Sequence, residues 1–339
     1  MNAPPNNNQS QSNQDYENSI VFDALNTSNW ESSNVYDSLS EGNITAINAT
    51  IVIWENYHQT MQAIQRWQER FTSQSDTLLN ALTVSDINTA KESKKTGVIL
   101  GWQNATPIEN DLNNLARFYE LGVRIIQLTY NERNLLGNGC YERRDEGLSH
   151  FGVDAVKEMN DLGILIDLSH CGDQTCYDAI ELSEKPVSIT HSNSRAFFAH
   201  PRNKPTEMIK LLAEKGGVIG ANAFPPFLPK GFNSTIIDYI DAIEDLVEKV
   251  GVDHVGIGTD FTQDQSNKWM DELFYQQGTK PKKRANPYPN PVHHPRGLEN
   301  PSKLSSVATE LSIRGYSVQD IGKILGGNWM RLLKATWAG

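Results

Sequence analysis

Short apolar runs that end in polar residues alternate along this chain with longer stretches whose apolar residues recur at helical spacing. The runs cover residues 19–24, 44–54, 97–103, 123–130, 164–170, 187–191, 217–223 and 254–260. Their centres (VRIIQLTY, ILIDLSH, HVGIGTD) are rich in Val, Ile and Leu with little alternation. Parallel strands covered on both faces have that pattern.

The amphipathic stretches 111–121, 151–162, 173–183, 205–215 and 236–250 read as helices. Gly163 falls where a C-cap glycine belongs, Asp173 is placed as an N-cap, and Gly216-Gly217 stops the helix before it. Eight strand–helix repeats predict an α/β fold, a (β/α)8 TIM barrel. No sequence period of 20–50 residues suggests a solenoid.

At 339 residues the chain is long enough for two average domains, and equally for one α/β barrel. The reading is a single barrel domain over 19–339 preceded by a disordered polar tail, 1–18. Two long insertions, 131–149 and 262–299, follow the fourth and eighth runs. Both fall on the barrel face where active sites lie, so they are expected to act as loops over a site.

Charge narrows the partners. With 30 Lys+Arg against 41 Asp+Glu the formal net charge is −11, which argues against nucleic acid or an anionic membrane. No run reaches the ~18 apolar residues of a membrane span. The N-terminal residues lack the basic and apolar regions of a secretory leader, and three cysteines without a CxxC suit a reducing compartment. A cytoplasmic protein acting on a small molecule is expected.

Candidate chemistry collects where the runs end: Asp23 or Asn26, Glu55, Gln103, Tyr130, His170, His191, Asn222 and Asp260. Adjacent strands lie ~4.8 Å apart. His170 and His191, one βαβ unit apart, are therefore placed side by side, a spacing that suits two imidazoles on one divalent ion. Asp260 would close the ring as a base or outer ligand. Asp23, Glu55, Gln103 and Asn222 are expected to line the same pocket. His200, His254, His293 and His294 read as surface or loop residues, Cys171 as a packing residue, and the KPKKR run at 280–284 as a solvated patch.

The segment GLSHFGVDAVKEMNDLGILIDLSHCGDQT, then KPVSITHSNSRAFFAHPRNKP, then DHVGIGTDF, resembles the membrane (renal-type) dipeptidases, metallopeptidases of the M19 type. The C-terminal DIGKILGGNWMRLL resembles the family's final helix. The resemblance implies a barrel of the metallo-dependent hydrolase type, two bridged zinc ions, cleavage of dipeptides including some with C-terminal D-residues, and a possible homodimer. It implies that His170 and His191 ligate the second metal, that Asp260 moves the proton, and that Arg202 holds the substrate carboxylate, a contact that suits guanidinium. Tyr130 and Asn131 are expected at the substrate.

Other positions depart from the family pattern. Leu25 and Thr27, in VFDALNTSN, stand where a His and an Asp would hold the first zinc. Gln103 replaces the bridging glutamate, and Tyr130 a substrate-contacting histidine. Leucine cannot ligate a metal, and threonine and glutamine are weak neutral donors for zinc. The GWQN and LTYN motifs resemble a bacterial branch of the family that lacks the first-metal ligands.

The expected function is a dipeptidase-like metallohydrolase with one zinc ion or none, cleaving an amide of a small carboxylate-bearing substrate. The alternative is a family member without dipeptidase activity that binds a small ligand or does other chemistry in the pocket. A glycosidase using Glu55 and Asp260 is a third, weaker reading.

Overall fold

The structure is a computed structural model and describes residues 14–275, 288–289 and 292–337. The unalternating runs become strands buried on both faces. They are β1 (Phe22–Asn26), β2 (Ala46–Val52), β3 (Leu78–Asn80), β4 (Thr96–Trp102), β5 (Val123–Gln127), β6 (Leu165–Asp167), β7 (Ser188–Ile189), β8 (Val218–Ala221) and β9 (Val255–Ile257). All pairings are parallel, and β2 pairing with β4 closes eight strands into the expected barrel.

The ninth strand, β3, was not expected. It pairs with the first half of β4 (Leu78↔Thr96, Asn80↔Val98), while β5 takes the second half of the same edge (Leu100↔Val123, Trp102↔Ile126). Three residues, LLN, are too short to announce themselves as a periodic run.

The predicted helices form at Asn113–Glu120, His150–Leu162, Asp173–Leu182, Thr206–Glu214 and Ile236–Val250. Gly163 closes one of them at φ 78°, a left-handed turn that glycine adopts without steric cost. Asp173 is not the cap it was expected to be. Gly172 is the N-cap, and Asp173, the first helical residue, instead receives two bonds from Arg195, at 2.6 and 2.8 Å.

Two boundary expectations also change. Residues 14–18 are helical, and Tyr16 is buried, its hydroxyl donating to the Gly42 carbonyl at 2.6 Å, so the packed part of the chain begins inside the predicted tail. Residues 1–13 and the 280–284 patch lie outside the described residues. The segment after β9 is not all loop, because Asn267–Tyr275 is helical. No helix among the described residues is long and apolar enough to cross a membrane.

Close approach at β9 sets the site's foundation. Trp329, on the C-terminal helix Asn328–Thr336, donates its indole N–H to the Ile257 carbonyl at 3.0 Å. A Cβ at Gly256 would lie 2.3 Å from Trp329 Nε1, and one at Gly258 would lie 1.8 Å from the Thr190 carbonyl oxygen. The glycines of VGIGTD therefore let the final helix and the His191 loop pack against one strand. On the other side of β9, Asp23 Oδ1 and Oδ2 accept from the Thr259 N–H (2.8 Å) and hydroxyl (2.7 Å). Burial raises this carboxyl to about 7, against the pull of those bonds.

Two outcomes are expected. Gly256→Ala should destabilise the fold by about 1–3 kcal/mol through the clash with Trp329, read as a lowered midpoint in denaturant. Asp23 binds a proton more tightly folded than unfolded, so its contribution is present at pH 4 and is lost as pH rises through about 7. Asp23→Asn should flatten that part of the stability–pH curve, and an unchanged slope would contradict the assignment.

Candidate metal and active site

His170 follows β6 and His191 follows β7, so neighbouring strands deliver both rings to the same end of the barrel. Their Nε2 atoms are 3.1 Å apart, with ring centroids 5.1 Å apart. What holds the other ring nitrogens decides which tautomers face each other. His170 Nδ1 lies 2.7 Å from Asn131 Oδ1, which only accepts, so Nδ1 carries the proton. Thr190 donates its hydroxyl to Asp167 Oδ2 at 2.7 Å and so accepts from His191 Nδ1 at 2.8 Å.

Both Nε2 atoms therefore keep their lone pairs, and the lone pairs point at one another. That contact is repulsive unless a cation sits between them. Two nitrogens on one zinc, at about 2.0–2.1 Å each in tetrahedral geometry, would stand ~3.3 Å apart. Burial, and after it the charge of Arg202, holds both histidines well below their ordinary pKa, in the neutral form that binds metal. The residues present thus fit two ligands of a metal ion. Among the described residues no third His, Cys, Asp or Glu joins them in a cluster.

The orientation of the two rings is built from behind. Asp167 accepts from Ser169 Oγ (2.6 Å), the Thr190 N–H (2.8 Å) and the Thr190 hydroxyl. Tyr130 stacks on His170 at 4.1 Å and 24°, and Trp54 meets Tyr130 edge-on at 5.0 Å. Burial and the nearby Asp260 keep the Tyr130 phenol protonated, far above its usual pKa.

A cavity of about 50 Å³ opens beside His170, lined also by Tyr130, Asn131, Gln103, Thr27 and Asp260. Asp260 is partly exposed to it and accepts from Asn222 Nδ2 at 3.4 Å. Burial raises the Asp260 carboxyl to about 6, with Arg202 and Asn222 pulling the other way. Both Asn131 and Asp260 adopt φ 60°, a conformation non-glycine residues seldom hold. Aromatic cover that the sequence reading missed comes from Phe224, Phe227, Trp269 and Tyr288. The FPPF sequence following β8 was a usable signal for the first two.

Several expected residues sit elsewhere. Asp23 is spent on Thr259 within the barrel wall. Glu55 folds back to accept from its own neighbours, the N–H groups of Ile53 (2.6 Å) and Trp54 (3.0 Å), and faces a second cavity. Asn222 is fully buried and holds Asp260 rather than lining the pocket. Arg202 is fully buried too, donating to the carbonyls of Ser169 (2.5 Å) and His191 (2.7 Å), with Nε unpaired among the described residues. Its guanidinium anchors the two histidine-bearing loops.

The four residues that depart from the family pattern are placed as follows. Leu25 is core, Thr27 donates to the Phe261 carbonyl (3.1 Å), Gln103 donates to Thr50 (3.1 Å), and Tyr130 covers His170. His294 is not a surface residue: it is buried against Phe261 and accepts from the Thr262 N–H at 3.0 Å. His200 packs among Phe198, Phe227 and Tyr141. Cys171 is buried as expected, and Lys204 donates to its carbonyl at 2.7 Å.

The sequence profile described as membrane dipeptidase (Peptidase family M19) matches residues 6–279. The dipeptidase tcpJ of Claviceps purpurea is 28% identical over 278 residues, 81% of this chain and 59% of that protein. An uncharacterized dipeptidase of Schizosaccharomyces pombe is 30% identical over 70% of this chain and 53% of its own length. The chain thus spans little more than half the length of these curated relatives. Among solved structures, an amidohydrolase from Pseudomonas aeruginosa superposes with a TM-score of 0.92 at 37% identity, covering 96% of this chain and 99% of that one. A metallopeptidase from Rhodobacter sphaeroides, liganded with a phosphinate mimic of L-Ala-D-Ala, shares the fold at a TM-score of 0.79 and 19% identity, over 94% of this chain and 100% of its own.

His191→Ala should abolish zinc binding, and Asp167→Asn should weaken it about 10–100-fold by freeing the His191 ring. Metal titration of protein stripped and reloaded checks both, and a zinc content indifferent to His191 would contradict the assignment.

Proposed function

The chain belongs to the membrane dipeptidase family, Peptidase family M19, and from that premise we propose that it hydrolyses the amide bond of a small, carboxylate-bearing dipeptide-like substrate at a single metal. The observation that carries this reading is the pair of neutral, buried imidazoles facing each other at 3.1 Å, with His170 lining a cavity that Asp260 also lines.

In this reading His170 and His191 would hold zinc, which when bound would supply a Lewis acid for an amide carbonyl. Asp260 takes a proton from the attacking water and returns it to the leaving amine. A carboxyl near pKa 6 suits both directions of transfer close to neutral pH. Asn131 and Thr190 are positioning residues, because they fix which nitrogen of each ring is available. Gln103 is a neutral amide on the cavity wall where the family resemblance expects a bridging carboxylate, which favours one metal over two.

Arg202 enters the proposal as a fixed buried charge. Two of its nitrogens are taken by backbone carbonyls, so it acts on an anionic substrate through its field and through the loops it ties.

The test is zinc-loaded protein against a panel of dipeptides. Turnover abolished by a chelator and restored by about one zinc per chain supports the reading. Asp260→Asn should lower kcat by about 10²–10⁴ with metal content unchanged. In the parent protein kcat should fall as pH drops through about 6, where Asp260 becomes protonated. Zinc-loaded protein that binds these dipeptides without cleaving any would favour the ligand-binding reading instead.

A further inference from the structure

The cavity beside His170 has walls of two kinds. Gln103, Asn131, His170 and Asp260 bring polar groups to it from the ends of the strands. An apolar wall comes from Phe224 and Phe227, which follow β8, and from Trp269, Met270 and Leu273 on the helix Asn267–Tyr275. A volume of about 50 Å³ holds a few water molecules and no dipeptide. One wall must therefore move before the proposed substrate can enter.

Which wall moves follows from what holds each. The polar wall is built on barrel strands and on the hydrogen bonds that fix the two histidine rings. The helix Asn267–Tyr275 is held more lightly. Met270 packs with Phe224 and Phe227 in a small apolar cluster, joined by Trp269 and Leu273, that is separate from the barrel core. Lys268, Asp271 and Glu272 are exposed on the helix's other side. Among the described residues, one hydrogen bond ties the helix to the barrel wall: Trp54 donates its indole N–H to the Leu273 carbonyl at 3.2 Å. Segments with few buried contacts are the ones that open at least cost. Trp269 and Leu273 are only half-buried, so apolar surface is left uncovered beside the cavity.

We propose that this apolar wall is a side-chain subsite: the helix lifts to admit a substrate with a bulky apolar side chain next to the scissile amide, and closes with Trp269, Met270 and Leu273 packed on that side chain. The inference rests on the hydrolase reading for the position of the amide, at the polar wall beside His170. A side chain on the neighbouring carbon then lies against the opposite wall, between the helix and the two phenylalanines. Among the described residues that wall carries no charged group, so a charged side chain would lose its water there without gaining a partner.

Three dipeptides, Ala-Ala, Leu-Ala and Ala-Leu, test the subsite and tell which residue of the substrate fills it. In the zinc-loaded parent protein, kcat/KM for one of the leucine peptides should exceed that for Ala-Ala by about tenfold or more, the effect of burying the extra apolar carbons. In Trp269→Ala, and in the milder Leu273→Ala, that preference should fall to about twofold or less, with zinc content unchanged. Hydrogen exchange reads the same contact without turnover: in Asp260→Asn, the favoured leucine peptide should slow exchange of amides 267–275 more than Ala-Ala does. Selective binding and protection of the helix with no cleavage by the parent would uphold the subsite and sink the hydrolase reading. Equal cleavage of all three peptides, or a leucine preference untouched in both variants, would overturn the subsite and leave the hydrolase reading standing. Neither binding nor cleavage of any of the three would overturn both.

Discussion

Two lone pairs held 3.1 Å apart in a buried site are the constraint on which the rest of this structure depends. Left alone, the imidazoles would repel, protonate or turn away. Protonation is opposed by burial and by the Arg202 charge. Turning is opposed by Asn131 on one ring and by the Thr190–Asp167 relay on the other. Several buried polar residues, each satisfied by another, thus hold both ring nitrogens toward one point.

Much of the fold was legible because parallel barrel strands, covered on both faces, read as solid apolar runs, and eight such runs alternating with helical periods have few other solutions. The two site histidines and Asp260 were legible for the same reason: each follows a run, and barrel geometry sends such residues to a common mouth. The strand ends misled at Asp23 and Glu55. Strand position says where a Cα stands, whereas a short acidic side chain turns to the nearest free N–H. Asp23 found Thr259, and Glu55 found the backbone of Ile53 and Trp54.

Other features could not be read from local sequence at all. The three-residue β3 carries too little periodicity, and its place depends on the half of β4 left bare by β5. The resemblance implied that Arg202 holds a substrate carboxylate, whereas its guanidinium is fully buried. Its burial follows from two carbonyls, Ser169 and His191, that come together only when the barrel closes. His294 and Phe224 meet through loops separated by many residues, and no spacing rule records that contact.

The left-handed backbone at Asn131 and Asp260 has a cost. Each residue forgoes roughly 1 kcal/mol or more that a glycine would recover at that position. Glycine at both would strip an amide and a carboxylate from the wall of one cavity. Stiffness given up at these two points is exchanged for polar groups facing a common space.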